Sequence, residues 1–292
     1  MPTFPRTFMS AFCRALGLLG VAAGSATAAE PLVPASWLAT QLGNPQVVVL
    51  DIRPAAAHTE GHIPGAVSAD FATTGWMARG PGGAAGALPP VEQIAATIGK
   101  LGVGNDDHAV IVGNEFPAAA RVYWTFKVLG HAEVSILDGG WRGWTRPVES
   151  GPVTRQPAVF TPHYNAALRA ELPEVEAAVA GGGATLVDAR PLPQWNGSAK
   201  SPVVRVGGHL PGAVWMDQGT ALTANGHLKP RNELALLFAP VAAKPAITYC
   251  NAGYLSATDW FVLSEVLHRP DVKLYDGSMS EWTADPSRPV ER

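Results

Sequence analysis

The chain has 292 residues but only two cysteines, Cys13 and Cys250. It also lacks a strong charge excess. Lys and Arg number 21 against 24 Asp and Glu, for a net charge of −3. That balance leaves no basic footprint for a nucleic acid. Long apolar runs are missing too. After the first 28 residues no stretch reaches the length of a membrane span, so none is expected in the mature chain. Metal-ligand spacing is absent as well. His131, His163, His227 and His268 stand apart from one another, and no metal site is expected.

The first 28 residues differ from the rest. Arg6 and Arg14 precede a short apolar segment, "ALGLLGVAAGSATA", which ends in the small-x-small triplet Ala26-Thr27-Ala28. This pattern reads as a secretory signal peptide, residues 1–28, and places the mature protein in the periplasm or outside the cell. Cys13 leaves with the signal. The remaining thiol, Cys250, then has no partner for an internal disulfide in an oxidising compartment. Such a thiol is either buried and inert or put to use.

What the chain does contain is an internal repeat. "VVVLDIR" (47–53) and "GHIPGA" (61–66) return as "TLVDAR" (185–190) and "GHLPGA" (208–213). "VSILDGGWRGWT" (134–145) returns as "VKLYDGSMSEWT" (272–283). The second copy carries roughly ten extra residues between Arg190 and Gly208. Between the copies, a Pro-rich stretch without periodicity reads as a linker, residues 148–168. The expected units are therefore 34–147 and 169–292.

Each unit alternates short β-branched strands with helical stretches. "QVVVLDI", "HAVIVGN", "TLVDA" and "PAITYC" read as strands. "VEQIAATIGKLG", "AARVYWTFKVLG" and "SATDWFVLSEVLH" read as helices. Strand–helix alternation predicts an α/β fold, with a parallel sheet covered by helices on both faces in each unit.

Cys250 ends the strand "PAITYC", and the loop "CNAGYLS" leads to a helix. Ligands in such sheets bind beyond the carboxyl ends of strands. Ser256, with Asp259 three residues on, predicts a capping box at the helix start. Gly253 lets the loop turn tightly. Backbone N–H groups from Asn251 to Ser256 would then cradle the sulfur and favour a thiolate. A buried cysteine that merely ends a strand is the alternative. The repeat bears on that choice. The matching strand end in the first copy is Gly113, and no neighbouring register supplies a cysteine.

These features together resemble the tandem-domain rhodaneses, the thiosulfate and 3-mercaptopyruvate sulfurtransferases. The resemblance rests on two Asp-x-Arg and Gly-His-(Ile/Leu)-Pro-Gly-Ala motifs, a late Asp-Gly turn followed by Trp, and a cysteine loop in the second copy alone. It implies an inactive first domain and a catalytic second one. It implies that Cys250 takes a sulfane sulfur from a small donor as a persulfide and passes it to a thiophilic acceptor such as cyanide or a thiol. No cofactor is implied. The loop residues Asn251, Ala252, Gly253, Tyr254, Leu255 and Ser256 would bind the donor. Family loops of the thiosulfate type carry two basic residues where this chain has Asn251 and Ala252. A further arginine is usual where Gln194 stands. Lys200 and Arg205, in the insertion, are the candidates to supply charge instead. Asp188 and Arg190 are expected to support the site as an ion pair.

His62 and His209 hold the same place in their repeats while only one repeat has a nucleophile, so a shared structural role is expected. Trp141, Trp144, Trp260, Phe261 and Trp282 are expected to pack in the cores. A phosphatase of the related type needs an arginine six residues after the cysteine, and Ser256 stands there. A sulfur-carrier or binding protein with a degenerate site is the alternative to the enzyme.

Overall fold

The computed structural model describes residues 1–3 and 29–292. The expected signal peptide, apart from its first three residues, and Cys13 lie outside them. The first half runs β1 (Leu32–Val33), α1 (Ala35–Gln41), β2 (Val47–Asp51), α2 (Ala55–Glu60) and β3 (Val67–Ser68). It continues with β4 (Ala78–Arg79), β5 (Ala85–Ala87), α3 (Val91–Lys100), β6 (His108–Val112), α4 (Phe116–Val128), β7 (Val134–Leu137) and α5 (Gly140–Gly143). The second half runs α6 (Leu172–Val179), β8 (Thr185–Asp188), α7 (Leu192–Trp195), β9 (Val214–Trp215) and α8 (Arg231–Leu237). It ends with β10 (Ala246–Tyr249), α9 (Ser256–Phe261), β11 (Val272–Leu274) and α10 (Ser278–Trp282).

The first sheet has the order β1-β7-β6-β2-β3 and the second β11-β10-β8-β9, all strands parallel. Four strands of the first sheet thus repeat in the second in the same order. The central strands are mostly apolar and buried along nearly their whole length, as coverage of both faces demands. A small antiparallel pair, β4 with β5, projects from the first half.

The repeated motifs form the same contacts twice. In one half Arg53 pairs with Asp51 and donates to Gly61 O at 2.6 Å. In the other Arg190 pairs with Asp188 and donates to Gly208 O at 2.7 Å. His62 and His209 each form a backbone bridge, to Glu149 and Glu291 respectively. Those glutamates in turn accept from the N–H of Gly65 and Gly212. Trp144 and Trp282 each donate an indole N–H to a nearby proline carbonyl, at Pro147 and Pro289. Trp141 instead lies flat under the Arg53 guanidinium, 3.6 Å from it.

The linker is a strap rather than a free tether. Ala158 N–H donates to Gly99 O, His163 N–H donates to Leu129 O, and Phe160 is buried. The halves meet mainly through α4 and α9. Phe261 packs edge-on against Phe116 and Tyr123, and Trp260 packs on Tyr123. Each such ring contributes on the order of 1.5–3 kcal/mol by leaving water. Because of this contact α4 is buried at every position except Lys127. The expected long helix after Cys250 divides into α9 and a π-helical turn, Val262–Val266, which ends near His268 at φ 57°.

Candidate active site

Cys250 follows the last residue of β10, at the carboxyl edge of the second sheet, and its side chain is buried. Gly113 follows β6 at the equivalent place. Cys250 O accepts from Met279 N–H, and Gly113 O accepts from Trp141 N–H, so the two strand ends are held alike.

The loop after Cys250 is tied outward by its carbonyls. Cys250 O and Asn251 O accept from the N–H groups of Met279 and Ser280, at 3.1 and 2.9 Å. Gly253 O accepts from the Arg121 guanidinium at 3.2 Å. In a trans peptide the N–H points opposite to the preceding carbonyl. The N–H groups of Asn251, Ala252 and Tyr254 therefore turn away from these anchors. Among the described residues they donate to no carbonyl or side chain. Gly253 adopts φ +66°, and a Cβ there would meet Arg121 and Asp276 within 3 Å. A larger residue is therefore excluded from the turn.

Ser278 is a second anchor. Its Oγ accepts from the N–H groups of Cys250 and Gly253 at 3.1 and 3.0 Å and donates to Tyr275 O. It does so from a left-handed conformation, φ 50°, at the position where the first half has Gly140 at φ 54°.

Ser256 is not the helix cap that its spacing from Asp259 suggested. Leu255 occupies the cap position without a capping hydrogen bond. The Ser256 hydroxyl donates instead to Cys250 Sγ at 3.6 Å. Asp259 does not cap either. It is fully buried, and neither carboxyl oxygen has a partner among the described residues. Burial raises its pKa well above the usual carboxylate range, and Asp217, Asp188 and Cys250 add to the rise. The fold places this short polar stretch in the core face of α9, where local capping geometry loses to tertiary burial.

Gln194, on α7, joins the loop: its Oε1 accepts from Asn251 Nδ2 at 2.7 Å. An amide pair thus stands where family sites carry cations. Tyr254 reaches across the seam and donates its hydroxyl to Glu115, while its ring lies against Phe71. Burial and that carboxylate both raise the Tyr254 pKa. Ala252 is covered by the β4–β5 hairpin, for a Cβ on Gly86 would strike Ala252 O at 1.9 Å. Lys200 and Arg205 are exposed in the insertion. Lys200 Nζ donates to Val204 O, and Arg205 bonds Thr283 through its backbone N–H. Among the described residues neither donates to the cysteine loop. A broad groove lined by Arg231, Phe238, Leu263 and Arg269 contains no residue of the loop.

Sequence reasoning missed Arg121, Ser278 and Asp276. Asp276 accepts from Leu88 N–H and from Arg169 Nε, so it ties the hairpin side of the first half to the loop's support. Ser278 had a local signal, since "DGS" replaces "DGG" between the repeats. Arg121 had none, because its partner is 132 residues away.

The geometry is accompanied by likeness to known proteins. Both halves match the model of the rhodanese-like domain, over residues 34–147 and 171–285. The chain is 34% identical over 280 residues to the 3-mercaptopyruvate sulfurtransferase of Escherichia coli K12, covering 89% of this chain and 97% of that protein. It is 32% identical over 282 residues to the thiosulfate sulfurtransferase of Corynebacterium glutamicum, covering 90% of each. The crystal structure of Escherichia coli SseA, a 3-mercaptopyruvate sulfotransferase, superposes with a TM-score of 0.72 at 30% identity, over 85% of this chain and 98% of that one.

Proposed function

The chain belongs to the rhodanese family, and from that premise we propose that it is a sulfurtransferase whose nucleophile is Cys250. The observation that carries this reading is the loop itself. The carbonyls of Cys250, Asn251 and Gly253 are anchored outward, the N–H groups of Asn251, Ala252 and Tyr254 have no acceptor among the described residues, and Ser256 donates to the sulfur. Such an enclosure suits an anionic sulfur. The equivalent strand end, Gly113, has no thiol.

In this mechanism the Cys250 thiolate attacks the outer sulfur of thiosulfate. A new S–S bond forms, the old one breaks, and sulfite leaves with the electron pair. The terminal sulfur of the persulfide is then attacked by cyanide or a thiol, and Cys250 is released as the thiolate. Residues 34–147 form the half that does no chemistry, 148–168 the linker and 169–292 the catalytic half. Residues 1–28 direct export to the periplasm or beyond. Asn251 to Ser256 and Gln194 surround the donor. The Asn251–Gln194 amide pair favours a donor of lower charge than thiosulfate.

Intact-mass spectrometry of the mature protein tests this. After incubation with thiosulfate, or separately with 3-mercaptopyruvate, the wild type gains one sulfur and Cys250→Ser does not. Cyanide removes the added mass. A folded protein that gains no sulfur from either donor refutes the enzyme reading. A sulfur-carrier role is the second reading, favoured by the buried thiol and by the uncharged Asn251 and Ala252 beside it.

A further inference from the structure

Arg121 is the most deeply buried cation among the described residues. It sits on α4 of the half that lacks a cysteine, and it is fully buried. Its Nη1 donates to Gly253 O, in the cysteine loop of the other half. Its Nε and Nη2 have no partner among the described residues. Its guanidinium carbon lies over the Trp124 ring, 4.6 Å from the ring centre. A buried, underpaired guanidinium is costly to keep. Burial pushes its pKa down to about 10, against the opposing pull of Asp276 and Cys250. Asp276, the carboxylate next to the loop, is already engaged by Arg169 at 2.9 Å. Arg121 and Arg169 thus stand behind the loop with Asp276, and Arg169 also lies 3.9 Å from Glu171. The other charged or titratable groups facing the thiol or its loop are Asp259, Glu115 and the Asp188–Arg190 pair.

Resting on the sulfurtransferase reading, we infer that Arg121 is a positioning residue for Cys250, supplied by the half that does no chemistry. Its bond to Gly253 O turns the peptide so that Tyr254 N–H faces into the loop. Its charge lies behind that peptide and favours an anion within the ring of N–H groups. The loop residues that would carry this charge in related sites are here Asn251 and Ala252. The cation comes instead from beneath, where it cannot contact the donor. This arrangement separates two tasks, holding the sulfur anion and gripping an anionic donor, and it retains the first.

The test uses the mature full-length protein and two readouts, both normalised to folded protein by circular dichroism. One is the rate of Cys250 alkylation by iodoacetamide as a function of pH. The other is the rate of sulfur loading from whichever donor the wild type accepts. Arg121→Met is expected to move the alkylation profile to higher pH by about one unit, the size of effect a nearby charge has on an ionising group. It is also expected to slow loading about tenfold, the equivalent of that one unit. Arg121→Lys, which keeps the charge, is expected to recover part of both. A folded Arg121→Met with the wild-type profile and loading rate overturns the inference. Should Arg121→Met not fold, Arg121→Gln and Arg121→Lys decide. The inference requires the lysine variant to load faster and to be alkylated at lower pH, and equality or the reverse order overturns it. The alkylation profile does not depend on any sulfur donor. A wild type that never loads sulfur therefore refutes the enzyme reading while leaving the effect of Arg121 on the thiol still measured.

Discussion

The Ser256 hydroxyl donates to Cys250 Sγ across 3.6 Å, from the first residue of the helix that the same serine was expected to cap. A hydrogen bond to a charged acceptor contributes about 1.5–3 kcal/mol. Ser256→Ala should therefore slow sulfur loading about ten- to a hundredfold. Because the serine makes no cap, the melting temperature should change little. Calorimetry alongside loading kinetics checks both. A large loss of stability with unchanged loading would return Ser256 to a structural role.

Ser278 pairs a strained backbone with two anchors on the cysteine loop. A left-handed non-glycine residue costs about 1–2 kcal/mol. Ser278→Ala keeps that cost and loses the anchors. Ser278→Gly loses the anchors but relieves the strain. The glycine variant should therefore unfold at higher denaturant than the alanine variant by about 1 kcal/mol, with loading slowed in both. Equal stabilities would mean that the strain is not borne by this residue.

Arg53 and Arg190 make matching buried pairs in the two halves, only one of which has a thiol. Removing one partner of a buried pair costs about 3–5 kcal/mol. Arg53→Ala and Arg190→Ala should lower stability by similar amounts in denaturant titrations. A much larger effect of Arg190→Ala on loading by folded protein would assign that arginine to the donor.

Asp259 lies in the core of α9 with a raised pKa caused first by burial. Above about pH 4, where an ordinary aspartate ionises, the unfolded chain has released a proton that the folded chain still holds. Stability therefore falls as pH rises toward the folded value. Asp259→Asn should stabilise the protein by about 1–3 kcal/mol at about pH 8 and by less at about pH 4.5. Thermal melts at both pH values measure this. A gain that does not grow with pH would place an ionised carboxylate there.

Gln194 and Asn251 join through their amides at 2.7 Å, where a charged grip on a dianion would otherwise stand. Gln194→Arg should lower KM for thiosulfate about tenfold, the scale of one added charge-assisted hydrogen bond. It should leave kcat nearly unchanged. Steady-state kinetics with cyanide as acceptor reads the effect, and an unchanged KM would remove Gln194 from the donor's path.

Much of the fold is readable along the chain because its signals are local. Asp51, Arg53 and Gly61 lie within one short stretch, so the motif and its contacts coincide, and the second copy reinforces the first. The parallel direction of the strands follows from the alternation of "VVVLD" and "HAVIV" with helical segments, whereas their order in the sheet does not. The position of Cys250 at a strand end is local in the same way. The support beneath its loop is not. Arg121 meets Gly253, and Glu115 meets Tyr254, only because α4 and α9 pack together, and no periodicity within either helix reports the partner. Ser256 shows the opposite failure. A plausible local motif was present, but burial assigned its hydroxyl to sulfur.

The near-complete burial of α4 has a consequence for the chain as it is made. Until α9 emerges, the face bearing Phe116 and Tyr123 has nothing to cover it. At 5–20 residues per second the ribosome takes about 6–25 s to travel from the end of α4 to the start of α9. Through that interval the first half is a sticky, unfinished object despite its complete sheet. A holding chaperone, or passage across a membrane before folding, would spare the cell that exposure.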